Sequence, residues 1–379
     1  MPLYIGLMSG TSLDGVDAAL VEIEASTASG RPRLLATHAE PMPGALRESL
    51  WALCHTERPS FAELAAAEDA FCRLQAGAVA TLLAASGTPR EAVEAIGSHG
   101  QTIEHAPLGH AGGPAYTLQL DNPSLLAELT GLCVVADFRR RDLAAGGQAA
   151  PLAPAFHQAL FRAEGEWQLV LNLGGFANLT LLPPREDPRP PLGFDSGPAN
   201  ALLDAWHSRH RGGHFDVDGA WAASGRVDEA LLGRLLTEPF FHLPPPRSTG
   251  RELFHLEWLE KRLSGRERPE DVQATLAELT AASVALAVEM ARERLQAPEP
   301  ARLIPCGGGA HNRDLLARLA RRLPTTTLVS SADSGWPADW LEAGAFAWLA
   351  WRRLRGLPGN LSSVTGAAGP RVLGGVYAP

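Results

Sequence analysis

Apolar positions along the chain fall into short blocks that switch between the strand and helix periods. Residues 3–8 form a compact apolar run and residues 16–23 a second. Between them lies the turn-rich Gly10-Thr11-Ser12-Leu13-Asp14-Gly15, so the pattern predicts strand, turn, strand. Ser60-Phe61-Ala62-Glu63 has capping-box spacing and predicts a helix running toward Ser86. Ala95-Ile96-Gly97 and Cys133-Val134-Val135-Ala136 predict buried strands. Each runs into polar residues at its end, Ser98-His99-Gly100-Gln101 and Asp137-Phe138-Arg139-Arg140-Arg141-Asp142.

Residues 168–182 repeat the opening pattern: a strand through Leu169-Val170-Leu171-Asn172-Leu173, a Gly174-Gly175 turn, and a return strand from Asn178. A weak internal duplication is the simplest explanation. A proline-rich connector over 183–191 follows, then a strand end at Leu192-Gly193-Phe194-Asp195-Ser196-Gly197-Pro198 and a helix over about 199–206. Pro244-Pro245-Pro246 reads as a stiff, exposed stretch, and 271–295 as a long helix. Arg302-Leu303-Ile304-Pro305 is a strand leading into Cys306-Gly307-Gly308-Gly309, another helix follows, and the last helix covers 338–355. Alternating strands and helices predict an α/β fold. Two halves with similar openings predict two related domains and a cleft, divided as 1–135 with 336–379, and 136–335.

Composition narrows the class. The chain has 379 residues, 45% hydrophobic and 20% charged, which is globular and excludes wholesale disorder. Its 38 glycines and 30 prolines make it loop-rich. No unbroken apolar run approaches the ~20 residues of a bilayer span, and the start lacks a basic segment, so neither membrane nor secretion is expected. Four scattered cysteines without a C-x-x-C spacing predict neither a disulfide framework nor a zinc site and fit a cytoplasmic protein. A formal charge of −9 argues against general nucleic-acid binding. Lys261 is the single lysine, which reads as genome bias rather than function.

The candidate chemistry lies in the turns. Backbone amides and the Thr11 and Ser12 hydroxyls of the Gly10–Asp17 loop can meet phosphate oxygens, and Asp14 and Asp17 can hold water on Mg²⁺. The loop lacks the Gly-Lys-Ser/Thr of a Walker A motif, and a plain hairpin turn explains it as well. Gly307-Gly308-Gly309 suits a phosphate near a helix start, or is only a tight strand-to-helix turn. With the first loop it suggests a nucleotide in the cleft. Asp195 is a carboxylate at a strand end, fit to accept a proton, unless it or Ser196 merely caps the next helix. Arg139-Arg140-Arg141 is an anion clamp or a solvated run paired to Asp137 and Asp142. His99 with Gln101, and Arg247-Ser248-Thr249-Gly250-Arg251-Glu252, can orient a polyhydroxylated ligand, although loop capping is the commoner role. Asp339 and Glu342 suit the last helix's macrodipole without any function. Trp206, Trp348 and Trp351 read as core.

Taken together, these segments resemble the anhydro-N-acetylmuramic acid kinases from end to end. The landmarks are the loop from Met8 to Asp17, Gly97-Ser98-His99-Gly100-Gln101-Thr102, Asp137-Phe138-Arg139-Arg140-Arg141-Asp142, and Gly146-Gly147-Gln148. They continue with Asn172-Leu173-Gly174-Gly175-Phe176-Ala177-Asn178-Leu179, Gly193-Phe194-Asp195-Ser196-Gly197-Pro198, Ser248-Thr249-Gly250-Arg251-Glu252, Cys306-Gly307-Gly308-Gly309, Glu342-Ala343-Gly344-Ala345 and Leu357-Pro358-Gly359-Asn360.

The resemblance implies a two-domain actin-like, hexokinase-like ATPase fold with nucleotide and sugar in the cleft. ATP and water would act on 1,6-anhydro-N-acetylmuramic acid, giving N-acetylmuramic acid 6-phosphate and ADP in cell-wall recycling. Asp195 would be the general base on the water attacking C1. Gly10, Thr11, Ser12, Leu13, Asp14, Gly15, Val16 and Asp17, with Gly174, Gly175, Gly307, Gly308 and Gly309, would hold ATP. His99, Gln101, Arg139 and Glu342 would contact the sugar, Mg²⁺ would accompany the phosphates, and the protein would be a homodimer. The sequence departs from the family pattern at Ser196, Ala199, Leu120-Asp121-Asn122-Pro123 and Trp336-Pro337. Two other classes share many of these features: an ATP-independent glycoside hydrolase pairing Asp195 with a second carboxylate such as Glu342, and a non-catalytic sugar sensor.

Overall fold

The computed structural model describes every residue except 25–30, 57, 111 and 251. The chain forms two compact units, residues 1–160 with 340–379, and residues 161–339. The first unit thus continues past 135, because the segment after it packs there. Asp142 is buried and accepts hydrogen bonds from Asn360 Nδ2 at 2.6 Å and Thr365 Oγ1 at 2.8 Å. Phe156 meets Trp348 edge-on at 6.2 Å between ring centroids.

Unit 1 is built on one mixed sheet. Strands β1 (Leu3–Ser9), β2 (Gly15–Glu24) and β3 (Arg31–Pro41) form an antiparallel meander. On the other side of β1 lie β4 (Val93–Ala106) and β6 (Val134–Ala136), both parallel. Strand β5 (Tyr116–Leu120) pairs with β4, and the last strand, Gly375–Tyr377, closes the far edge on β6. Strand β4 is longer than the apolar run predicts. Residues 98–101 are inside it, because their backbone finds partners in β1 and β5.

One face of this sheet packs on the helix Phe61–Ser86, whose capping box is present as Ser60 and Glu63. Ile5, Leu7, Leu20, Phe71 and Leu82 are buried there. The other face receives the helix Leu341–Leu354. Gly6 and Gly97 are register partners in β1 and β4. A methyl on Gly6 would come within 1.8 Å of the Ala343 carbonyl oxygen, and one on Gly97 within 2.0 Å of that of Phe346. The helix therefore rests on bare backbone at these two positions.

Unit 2 repeats the topology. Strands β7 (Gln168–Leu173), β8 (Phe176–Leu182) and β9 (Leu192–Pro198) form the meander, and β10 (Arg302–Cys306) and β11 (Thr327–Leu328) add in parallel beside β7. The strand order β3-β2-β1-β4-β6 of unit 1 matches β9-β8-β7-β10-β11 of unit 2. The duplication expected from the two glycine hairpins is therefore a duplication of whole sheets. The helix Pro269–Leu295 is long and apolar enough to cross a membrane, but most of it is buried inside unit 2. Trp206, Trp348 and Trp351 are buried as expected, whereas Pro245, expected to be exposed, is buried next to Arg247.

The close approach at Gly6 yields a test. Gly6→Ala is expected to lose more than ~3 kcal/mol of stability, since a backbone carbonyl cannot yield as a side chain can. Gly44→Ala, where nothing lies within 4 Å, should stay within ~1 kcal/mol of the parent. Urea unfolding of both variants checks this, and equal stability would contradict the packing.

Candidate active site

In unit 1 the loop between β1 and β2 is fixed from below and open above. Leu13 adopts a left-handed backbone (φ 58°) and drives its side chain into the core. Ser9 Oγ lies 2.8 Å from the Gly15 carbonyl and 2.6 Å from Gln101 Oε1, its one proton shared between two acceptors. Gln101 Nε2 donates to the carbonyls of Gly10 and Thr102, each at 3.2 Å. Thr11, Ser12 and Asp14 are exposed, and Arg47 stands 3.4 Å from Asp14. The loop thus presents hydroxyls and backbone outward from a rigid seat. Gln101, read as a ligand contact, has its amide engaged with Ser9, Gly10 and Thr102.

The arginine run divides. Arg139 turns inward and donates to His99 Nε2 from Nε at 3.1 Å and from Nη2 at 2.9 Å, and to the Ala149 carbonyl at 2.8 Å. His99 is buried, and its Nδ1 lies 2.9 Å from the Gly100 carbonyl. The imidazole is therefore neutral, with Nδ1 donating and Nε2 accepting. Burial and the Arg139 charge hold its pKa well below the usual histidine value. Burial lowers Arg139 to about 10, against the carboxylates of Glu342 and Asp142. Glu342 opens the helix Leu341–Leu354, exposed at its first turn. Arg140 and Arg141 face outward, Arg140 3.5 Å from Asp137. The reading of a solvated run paired to both aspartates fails at Asp142, whose carboxylate is buried against Ala149, Asn360 and Thr365.

In unit 2, Asp195 lies inside β9, not at its end, and Ala199 is the N-cap of the next helix, Asn200–Arg211. The capping role for Asp195 or Ser196 is thereby excluded. Ser196 is buried and donates to the Ala177 carbonyl. The Asp195 carboxylate accepts Asn178 Nδ2 on one oxygen at 2.8 Å and the Thr249 amide on the other at 2.9 Å. Burial pushes its pKa up to about 6, opposed by those two hydrogen bonds and by the Arg247 charge.

Arg247 reaches the main chain rather than the carboxylate. It donates to the carbonyls of Asp195 (2.9 Å), Phe240 (3.0 Å), Phe241 (3.0 Å) and Leu243 (2.8 Å). Its Nη2 and the Thr249 hydroxyl are buried without a partner. Asn178, Thr249 and Arg247 as a cradle for Asp195 escape sequence reasoning. Arg247 and Thr249 register there only as a polar cluster, and Arg251 of that cluster lies outside the described residues.

The glycine turns of unit 2 stand together. A methyl on Gly307 (φ 72°) would approach Asn172 Oδ1 to 2.4 Å, and one on Gly309 would approach Leu173 Cβ to 2.6 Å. The carbonyls of Gly174 and Gly175 take the amides of Asn200 and Ala201 at the start of Asn200–Arg211. Gly175 and Gly308 are exposed, and Cβ atoms there would meet nothing nearer than 3.8 and 3.9 Å. That open face has room for an anion close to backbone and a helix start.

A sheet of this topology built twice, with a glycine hairpin at the first turn of each copy, defines a two-unit α/β protein, the architecture that the resemblance implies. The family model "Anhydro-N-acetylmuramic acid kinase" matches residues 2–379, and the chain belongs to that family. A protein of that name from Chromohalobacter salexigens is 64% identical over 378 residues, covering 100% of both chains. One from Pseudomonas paraeruginosa is 52% identical, covering 100% of this chain and 99% of its own. Among solved structures, the activator of 2-hydroxyisocaproyl-CoA dehydratase from Clostridium difficile with bound ADPNP aligns at 11% identity and a TM-score of 0.47. That alignment covers 93% of this chain and 96% of that one. A ROK family glucokinase from Streptomyces griseus in complex with glucose and AMPPNP aligns at 15% identity and 0.38, covering 91% and 99%.

The raised pKa of Asp195 makes a stability prediction independent of activity. The folded carboxyl holds its proton up to about pH 6, whereas the unfolded one releases it near the ordinary aspartate value of 3.8. Between these values the folded state binds more protons, so stability falls as pH rises through the window. Comparing Asp195→Asn with the parent by urea unfolding at pH 4 and pH 7, the difference should move toward the variant by ~2 kcal/mol. A difference that is the same at both pH values would contradict the burial of this carboxyl.

Proposed function

We propose that the chain is an ATP-dependent kinase that opens 1,6-anhydro-N-acetylmuramic acid with water and phosphorylates it at O6, releasing N-acetylmuramic acid 6-phosphate and ADP in cell-wall recycling. The observation that carries the reading is the Asp195 carboxylate, held by two donors beside a fixed arginine charge, in a chain that belongs to the kinase family along its whole length. Water attacks C1, the C1–O6 bond breaks, and O6 takes the γ-phosphoryl group. Asp195 accepts the water proton. A carboxyl with a pKa of about 6 is mostly ionised at pH 7 yet more basic than an ordinary aspartate, which suits that task. Asn178 and Thr249 leave it one orientation.

The Gly10–Asp17 loop and the turns at Gly174-Gly175 and Gly307-Gly308-Gly309 would hold the phosphates of ATP through backbone amides and hydroxyls. Mg²⁺ fits this set as a companion of the phosphates. Among the described residues no three His, Cys, Asp or Glu converge to cage a metal, and Asp14 is an exposed carboxylate on the loop itself. When bound, the ion would neutralise charge on the transferring phosphoryl group. Arg139 offers a partly desolvated cation to the sugar's lactyl carboxylate, and His99 keeps that guanidinium in place through Nε2. Glu342 would accept from a sugar hydroxyl. Gln101 acts one step away, seating the phosphate loop. We further infer a cytoplasmic homodimer, to be tested by sedimentation. Four cysteines without a disulfide are in keeping with a reducing compartment.

The decisive experiment incubates the purified protein with Mg²⁺ and the anhydrosugar, with and without ATP, following ADP and sugar mass. The sugar is expected to gain water and phosphate together, only with ATP. Asp195→Asn should lower kcat by ~10²-fold or more, since an amide cannot take the proton. Gain of water alone, equally fast without ATP, would establish a hydrolase. Sugar binding with no turnover would establish a sensor.

A further inference from the structure

The segments Gly146-Gly147-Gln148 and Leu357-Pro358-Gly359-Asn360 take no part in the proposed chemistry, yet in unit 1 they meet at one buried side chain. Asp142, Asn360 and Thr365 are 0%, 4% and 0% exposed. Asp142 Oδ1 accepts Asn360 Nδ2 at 2.6 Å and Thr365 Oγ1 at 2.8 Å, and Oδ2 accepts the Ala149 amide at 2.8 Å. Each partner donates, which suits an ionised carboxylate. Asn360 is itself fixed, because its Oδ1 accepts the Arg371 amide at 2.6 Å.

The loop between Asp142 and Ala149 wraps around that carboxylate. The Gly147 amide donates to the Asp142 carbonyl at 3.1 Å, and the Gln148 amide to the Thr365 carbonyl at 2.7 Å. A methyl on Gly147 would stand 2.2 Å from Asp142 Oδ2, so a bare backbone is needed there. The loop ends at Ala149, buried and in a left-handed conformation (φ 60°). That conformation is costly for a residue with a Cβ and persists where the surroundings hold it. The Ala149 amide is bound by Asp142, and the Ala149 carbonyl accepts Arg139 Nη1 at 2.8 Å. Arg139 is thus gripped from two sides, by His99 on Nε and Nη2 and by Ala149 on Nη1. The Asp142 charge also acts on it directly, opposing with Glu342 the cost of burying the guanidinium.

We propose that Asp142 is a positioning residue for sugar selection: anchored by Asn360 and Thr365, it fixes the strained Ala149 carbonyl that aims the Arg139 guanidinium at the lactyl carboxylate of the sugar. The inference rests on the reading of Arg139 as the partner of that carboxylate and adds the groups that set its aim. Asp142 acts through the backbone and not by contact with the sugar. A guanidinium fork matches a carboxylate in a narrow range of orientations, so whatever orients it contributes to selectivity.

The test reads selectivity, which a merely structural role would not move. Dissociation constants are measured by calorimetry for 1,6-anhydro-N-acetylmuramic acid and for the same anhydrosugar without its lactyl group. The proteins are the parent, Arg139→Gln, Asp142→Asn, Thr365→Val and Thr365→Ser. The parent should prefer the lactyl sugar, and Arg139→Gln should abolish the preference. Asp142→Asn turns an NH₂ toward one of the donors and should cut the preference by ~10-fold or more, with the lactyl-free sugar bound as before. Thr365→Val keeps the side-chain shape and removes the hydroxyl, so it reports even if Asp142→Asn fails to fold. It should cut the preference by ~3-fold or more, and Thr365→Ser should retain it. If Asp142→Asn and Thr365→Val keep the parent's preference, or weaken both sugars equally, the positioning role is overturned while the Arg139 reading stands. The same holds if Thr365→Ser behaves as Thr365→Val. If Arg139→Gln keeps the preference, or the parent has none, the Arg139 reading falls and the positioning role with it.

Discussion

Unit 1 depends on the contact between two glycines and one helix. Gly6 and Gly97 sit side by side in β1 and β4, and the helix Leu341–Leu354 lies on their bare backbone. Small residues on the helix side, Ala343 and Ala347 among them, complete the approach. This docking returns the end of the chain to the sheet with which it began. It also sets where the helix starts, and with that the position of Glu342, whose charge reaches Arg139. A single added methyl would push the helix off the sheet and take that carboxylate with it. The site chemistry of unit 1 is thus downstream of a steric fact about two positions without side chains.

Unit 2 solves a different problem, keeping a carboxylate ionisable in a partly buried strand. Desolvation alone raises the cost of its charge. Two directed donors and one nearby cation pull the other way, and the balance falls at about 6. Arg247 supplies positive charge without closing an ion pair on the carboxylate: its Nε and Nη1 donate to carbonyls of the chain, and its Nη2 is buried without a partner. A direct bidentate pair would lower the pKa further and occupy the oxygens. The arrangement leaves Asp195 basic and its charge supported.

The strands, the long helices, the capping box at Ser60 and the duplication were legible in the sequence because each is a local pattern of a few residues. Asp195 was legible as a carboxylate beside a sharp turn, though its place within the strand was not, since pairing with β8 continues through Pro198. The cradle was not legible. Asn178 is 17 residues before Asp195 and Thr249 is 54 after it, and no periodicity links them. The seating role of Gln101 was not legible for the same reason. The residue follows an apolar strand and looks available, but its partner Ser9 is 92 residues away. Arg139 differs from Arg140 and Arg141 only in the direction its backbone gives it, which composition cannot supply.

The duplicated hairpins show how one topology can be put to two uses. In unit 1 the turn after β1 is seated from the neighbouring parallel strand, through Gln101 of β4. In unit 2 the turn after β7 is seated from the helix Asn200–Arg211, whose first amides bond the glycine carbonyls. The first arrangement leaves hydroxyls of Thr11 and Ser12 on the open side; the second leaves bare glycine backbone beside a helix start. Phosphate oxygens can be met by either surface, but the second also directs a helix whose far end carries His207 and Arg211 into a neighbouring cavity. The helix that steadies the glycine turn is therefore the helix that walls the cavity.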